Sequence, residues 1–171
     1  KRAGNFILMD EILDEIGADA LRFIFLSKKC DTHLEFDIET LKKQDSSNPV
    51  FYVNYAHARI YQVFARANKS FESVLNANFE SLNEDGANLL FEALNLHAIL
   101  QSAFEERALQ KIADYLKSLA AAFHKFYAEN KVVGSANEDS LLKLFAVVAL
   151  SIKTALSIMG IEAQKKMVQE S

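Results

Sequence analysis

Asn48-Pro49-Val50-Phe51-Tyr52-Val53-Asn54-Tyr55-Ala56-His57-Ala58-Arg59, running on through Ile60 to Lys69, is the stretch on which the fold turns. An asparagine side chain accepts from the free amides of a first helical turn, and a proline at the first helical position lacks only an amide that would have had no partner. The pair therefore predicts a helix from Pro49 to about Lys69. Val53, Ala56, Ile60, Phe64 and Ala67 recur at helical spacing as one apolar stripe, whereas Tyr55, Arg59, Gln62, Arg66 and Lys69 line another side. Such a helix has one face for a core and a second face of rings and cations.

Toward the C-terminus the helical period continues. Ser81 and Glu84 have the spacing of a capping box ahead of a helix over Gly86 to Phe104, with Leu89, Leu90, Ala93, Leu94, His97 and Leu100 near its inward side. Glu106 to about Glu129 predicts another, using Leu109, Ile112, Leu116, Leu119, Phe123 and Phe126. At 1.5 Å per residue it spans about 30 Å, enough for a main strut of a bundle. Ser135 and Glu138 repeat the capping-box spacing before a helix over Asn137 to Met159 that is apolar on several sides, the pattern of a central element. Gly160 offers a stop, and residues 161–171 read as a short tail or terminal turn.

Toward the N-terminus, Leu8, Ile12, Leu13 and Ile16 predict a short helix stopped by Gly17. Ala18 to Lys28 predicts a second, with Ala18, Leu21, Phe25 and Leu26 on one side and Phe23 and Ile24 also apolar. From Cys30 to Asp37 the alternation of Leu34 and Phe36 with His33 and Glu35 fits an extended connector, and Asp37 caps a helix carrying Ile38, Leu41 and Lys42. The polar tract Asp45 to Asn48 places a border there: residues 1–44 form a helical connector and 45–171 a helical bundle, all-α throughout.

Composition agrees. A chain of 171 residues, half of them apolar, with thirteen phenylalanines, five glycines and one proline, is able to bury a core of its own. A formal charge of -4 argues against capture of nucleic acid by the whole surface and leaves a local basic face open. Cys30 is the single cysteine, so no internal disulfide forms and a reducing compartment, the cytoplasm, fits. Leu144 to Ile152 is about half the length a bilayer requires, so no membrane is expected as partner. The abrupt start at Lys1, without methionine, suggests a piece of something longer.

Among the chemistry-bearing residues, His33, His57, His97 and His124 show no metal-binding spacing and are left to helix packing, surface positions or nucleic-acid contacts, and the acidic pairs Asp10 with Asp14 and Glu11 with Glu15 read as solvated helix faces. Arg2, Ala3, Gly4 and Asn5 make a compact cationic loop suited to a phosphate, or a plain terminus. The Tyr55, Arg59, Gln62, Arg66, Lys69 face is the strongest feature, since rings stack on unpaired bases while guanidinium groups neutralise phosphates. Its ordinary alternative is a wet helix face, with Tyr52 and Tyr55 packing partly on their neighbours.

Four blocks resemble one family. Lys1 to Phe6 looks like the tail of a KMSKS-type catalytic signature, and Gly17-Ala18-Asp19-Ala20-Leu21-Arg22-Phe23 looks like the block that gives an anticodon-binding domain its DALR name. Asn48 to Arg59 is the long, specific third block; the fourth combines Phe123-His124-Lys125-Phe126-Tyr127 with Met159-Gly160-Ile161-Glu162-Ala163 through Met167. Together they resemble the C-terminal half of arginyl-tRNA synthetase, a class I aminoacyl-tRNA synthetase.

The resemblance implies a helical bundle of the anticodon-binding type behind a short helical connector. It implies a parent enzyme, acting as a monomer, that joins arginine to its tRNA with ATP and magnesium. The segment itself would bind no cofactor or metal and be catalytically inactive, its partners being arginine tRNA and the missing catalytic domain of the same chain. Lys1, Arg2, Gly4 and Asn5 would be the remnant of the ATP loop. Tyr52, Tyr55, Arg59, Gln62, Arg66, Phe126, Tyr127, Lys166 and Met167 would face the tRNA, with Lys125 and Lys165 as further phosphate partners suggested by spacing. Asp19, Arg22, Asn48, Pro49 and His57 would serve structure, the first two locking the connector to the catalytic domain or to the bundle. Two departures stand out: no cysteine in Asn130 to Val133, and Gln164 and Lys165 where the family has proline and glutamate. A helical protein-interaction domain whose tyrosine face binds a polypeptide is the competing expectation.

Overall fold

The computed structural model describes residues 8–29, 31–35, 37–79 and 82–167, and among them the only regular elements are helices. α1 spans Met9–Leu26, α2 Ile38–Lys42, α3 Pro49–Ala67, α4 Glu84–Leu94, α5 Leu96–Glu105, α6 Gln110–Glu129 and α7 Glu138–Ile158, with a 3-10 turn at Glu72–Val74. The all-α bundle expected from the spacing is what the chain forms.

α3 begins as its sequence dictates. Asn48 accepts from the Phe51 amide at 3.2 Å, and its amide group donates to the carbonyls of Leu41 and Lys43 at 2.6 and 3.0 Å. One 5 % exposed side chain thus caps α3 and ties it to the end of α2. Asp37 caps α2 through the Glu39 amide at 3.0 Å. Asn68, at φ 52°, closes α3 in the left-handed conformation that asparagine tolerates.

α7 runs through the centre, packed on α3, α4 and α6, and buries Leu141, Leu142, Leu144, Phe145, Val148, Ile152, Ala155 and Leu156. By length and composition alone α7 would also cross a bilayer, but more than half of its most apolar window is buried within the bundle. The aromatic core is stitched where Phe145 meets Phe123 edge-on at 5.0 Å and Phe126 at 6.1 Å. α1 leans on α2, α3 and α6.

Several expectations change in detail. The predicted stop at Gly17 appears as a break within α1, at φ 78° and ψ 161°, where L side chains are strained. Beyond it Ala20, Leu21 and Phe23 face inward, while Ala18 and Phe25, expected on the packed side, are exposed. The helix predicted over Gly86 to Phe104 is two, α4 and α5, divided at Asn95; the turn sends Leu94 and His97 outward. Asn83 caps α4 through the Gly86 amide at 2.9 Å; Ser81, expected to do so, lies outside the described residues. α6 starts at Gln110, leaving Leu109 about half exposed before it. Ser135 does not cap α7, because its hydroxyl donates back to the Val132 carbonyl, and Glu138 accepts from the Gly134 amide. Residues 161–167, within the expected tail, follow α7 without helical structure.

Candidate nucleic-acid interface

The helical period of α3 places Tyr52, Tyr55, Arg59, Gln62 and Arg66 along one side, and α6 brings His124 and Tyr127 against them. His124 is the hinge of this contact. Its ring lies 4.6 Å from that of Tyr52 and is stacked on that of Tyr55 at 5.6 Å, while Nε2 approaches the Tyr52 carbonyl at 3.4 Å. A carbonyl only accepts, so Nε2 carries the proton. Burial pushes the His124 pKa down; the Tyr52 carbonyl opposes that shift, and the nearby Arg59 charge adds to it.

Arg59 lies between two rings. Its guanidinium carbon is 4.5 Å from the Tyr55 centroid and 5.3 Å from that of Tyr127, and it donates to the Tyr55 hydroxyl. Its Nε is buried without a hydrogen-bond partner among the described residues, where rings rather than carboxylates flank the group. Arg66 donates to the Tyr127 hydroxyl at 2.6 Å. Tyr52, Tyr55, Arg59 and Tyr127 are half-buried, whereas Gln62 and Arg66 are exposed. The surface is open: rings braced from below with their outer parts accessible, and two guanidinium groups about two helical turns apart.

Not every residue expected to face a ligand does so. Phe126 is 3 % exposed and packs on Phe145, because the turn that presents Tyr127 sends its neighbour into the core. Lys125 is exposed and lines a groove with Asp85, Glu92 and Glu129, apart from the tyrosine cluster. Lys69 ends the α3 face in ion pairs with Glu138, at 3.2 Å, and Asp139. Lys165 lies over Tyr61 at 5.5 Å; Lys166 is exposed and Met167 half-buried. Lys1, Arg2, Gly4 and Asn5 lie outside the described residues. His124 is the participant that the sequence did not single out from the four histidines. Its spacing of three from Tyr127 on one helix face was the available signal.

Three of the residues expected to serve structure, Asp19, Arg22 and His57, are joined to the segment after α7, whereas Asn48 and Pro49 form the α2 to α3 corner. Arg22 donates from Nη1 to the Gly160 carbonyl at 2.6 Å and to Asp19 at 3.2 Å, and Asp19 accepts from the Glu162 amide at 3.5 Å. The lock therefore reaches the bundle itself. His57, 1 % exposed, donates from Nδ1 to the Gln164 carbonyl at 2.8 Å. Burial lowers its pKa, with Lys153 and Lys165 acting in the same direction and the Gln164 carbonyl against them. No group of three or more His, Cys, Asp or Glu among the described residues stands together as a metal site.

Residues 53–167 match the DALR anticodon binding domain family. The chain is 75 % identical over 167 residues to an arginine-tRNA ligase of Campylobacter jejuni subsp. doylei and 71 % identical to one of Campylobacter lari, in each case covering 98 % of this chain and 32 % of the relative. It thus spans about a third of the length of the curated relatives it matches. The crystal structure of a Campylobacter jejuni chain described as an arginyl tRNA synthetase superposes with a TM-score of 0.92 at 74 % identity, covering 98 % of this chain and 37 % of that one. The arginyl-tRNA synthetase of Thermus thermophilus, at 21 % identity and a TM-score of 0.75 over 98 % of this chain and 29 % of that one, shares the fold.

Proposed function

Because the chain belongs to the DALR anticodon-binding domain family, we propose that it holds the anticodon stem and loop of an arginine tRNA on the face formed by α3 and α6. The observation that carries this reading is the half-open cluster of Tyr52, Tyr55, Arg59 and Tyr127, with Arg66 beside it. Unstacked loop bases would lie on the tyrosine rings, each such stack contributing about 1–3 kcal/mol. Arg59 and Arg66 would meet backbone phosphate, with Gln62, Lys166 and Met167 completing the contact. An acidic protein can do this because only the local field at the face matters to the phosphates that touch it.

The parent enzyme, on this reading, is a cytoplasmic arginine-tRNA ligase that activates arginine with ATP and magnesium and acts as a monomer. Identity above 70 % to arginine-tRNA ligases along nearly the whole chain supports the ligase part of that reading. The loop expected to meet ATP, Lys1 to Asn5, falls outside the described residues. Residues 1–44 are read as the end of a catalytic signature with its connector and 45–171 as the binding bundle, which the family match over 53–167 supports. The remaining catalytic domain is the second expected partner.

Filter binding tests the reading directly. Arginine tRNA should bind with a steep salt dependence, and changing the central cytosine of its anticodon should weaken binding selectively. Equal binding of both RNAs with a flat salt response would overturn it in favour of a protein-interaction domain.

A further inference from the structure

The DALR block lies on α1, apart from the tyrosine face, and what it holds is backbone. α7 ends in a left-handed glycine turn: Gly160 has φ 71°, its amide donates to the Ser157 carbonyl at 3.0 Å, and the Ile161 amide donates to Leu156 at 2.9 Å. The last turn of α7 carries no basic residue of its own. Arg22 supplies the cation from α1, donating to the Gly160 carbonyl at 2.6 Å at the negative end of the helix dipole. Asp19 takes the Glu162 amide two residues later. An adjacent acid and base thus bind an amide and a carbonyl in fixed order, which selects one direction of exit for the chain.

Two residues beyond, both backbone groups of Gln164 are taken by α3. Its amide donates to Asn54 Oδ1 at 2.9 Å, and its carbonyl accepts from His57 Nδ1 at 2.8 Å. Asn54 and His57 are 7 % and 1 % exposed, so both anchors are buried, and Ile161, between the two groups that α1 holds, is buried as well. The segment 160–167 is therefore pinned twice, once to α1 and once to the helix that carries Tyr55 and Arg59. Because the pins hold backbone, the side chains of Lys166 and Met167 are not consumed by them.

We propose that Asp19 and Arg22 are positioning residues for RNA recognition: through the Gly160 carbonyl and the Glu162 amide they set the course of the 160–167 tail, so that its last residues reach the anticodon loop in register with α3. The proposal rests on the reading of the α3 and α6 face as the tRNA seat. It assigns the motif a role at a distance, without contact between Arg22 and RNA.

The test uses the full-length enzyme. Arg22→Ala should raise KM for arginine tRNA about tenfold with kcat little changed, as expected when a binding contact is lost uniformly. It should also narrow the preference for the central anticodon cytosine and speed hydrogen exchange at the Gln164 amide. Arg22→Lys should restore part of each effect. Gly160→Ala attacks the same contact from the other side, since the new Cβ would sit 3.4 Å from Arg22 Cδ at a positive φ, and should reproduce the pattern. If Arg22→Ala lowers thermal stability while KM, anticodon preference and Gln164 exchange stay as they were, the motif is mere packing and the proposal is overturned. Tyr55→Ala serves as the parallel arm. If it and the anticodon change both leave tRNA KM unaltered, the seat itself is misplaced, an outcome distinct from an intact seat with an indifferent Arg22.

Discussion

Arg59 stands one helical turn beyond Tyr55, with its guanidinium carbon 4.5 Å from the Tyr55 ring centroid and a hydrogen bond to the same tyrosine's hydroxyl. A cation held by rings keeps most of its charge available to a third party, which a carboxylate partner would have neutralised.

Arg59→Ala is accordingly expected to weaken tRNA binding at least tenfold and to lower the salt slope by about one, with the helical content retained. Circular dichroism recorded beside the binding titration checks both halves. Unfolding of the variant with unchanged affinity per folded molecule would remove Arg59 from the interface.

Phe123→Ala should do the opposite. Its ring is fully buried against Phe145 at 5.0 Å, and truncation leaves a cavity costing about 3–5 kcal/mol. Urea denaturation reads the loss, which should appear as a shifted midpoint at constant slope.

Asn48→Ala removes a helix cap and leaves the carbonyls of Leu41 and Lys43 without their donor. The expected cost is about 1–3 kcal/mol, more than an exposed cap alone would give. A loss no larger than that of a surface substitution would show that the α2 to α3 corner is held by other contacts.

Acid should loosen the bundle through its two buried histidines. The pKa values of His57 and His124 are both lowered in the folded state, chiefly by burial, so the unfolded chain binds more protons below the ordinary histidine value of 6.5. Their contribution is complete above that value and is lost as pH falls through the folded pKa values. Thermal melts between pH 7.5 and 5 should show stability falling with pH, and His124→Phe should flatten the trend.

The parts of the fold written in local signals were legible in the sequence. Asn48 with Pro49, Asp37 and Gly17 act where their chemistry places them, because a cap or a left-handed torsion is decided within a few residues. The division at Asn95 was hidden, since Leu94 and His97 continue a helical period that a turn nevertheless interrupts. At the interface, α3 announced its own face, but partners from other helices did not announce themselves. Phe126 and Lys125 have the right chemistry for RNA, and only the rotation of α6 about its axis turns one into the core and the other toward Asp85 and Glu92. His124 gains its place from Tyr52 and Tyr55, far earlier in the chain, a relation no spacing rule contains.

The torsion at Gly17 makes an elbow of α1. Its forearm, Met9 to Ile16, carries Met9 and Leu13 about half exposed, tethered where Glu15 meets Lys42 at 3.2 Å. The aim of that lever is written in one residue that alone takes the required angle without strain. Any side chain placed there would cost about 1–3 kcal/mol or swing the whole forearm to a new bearing.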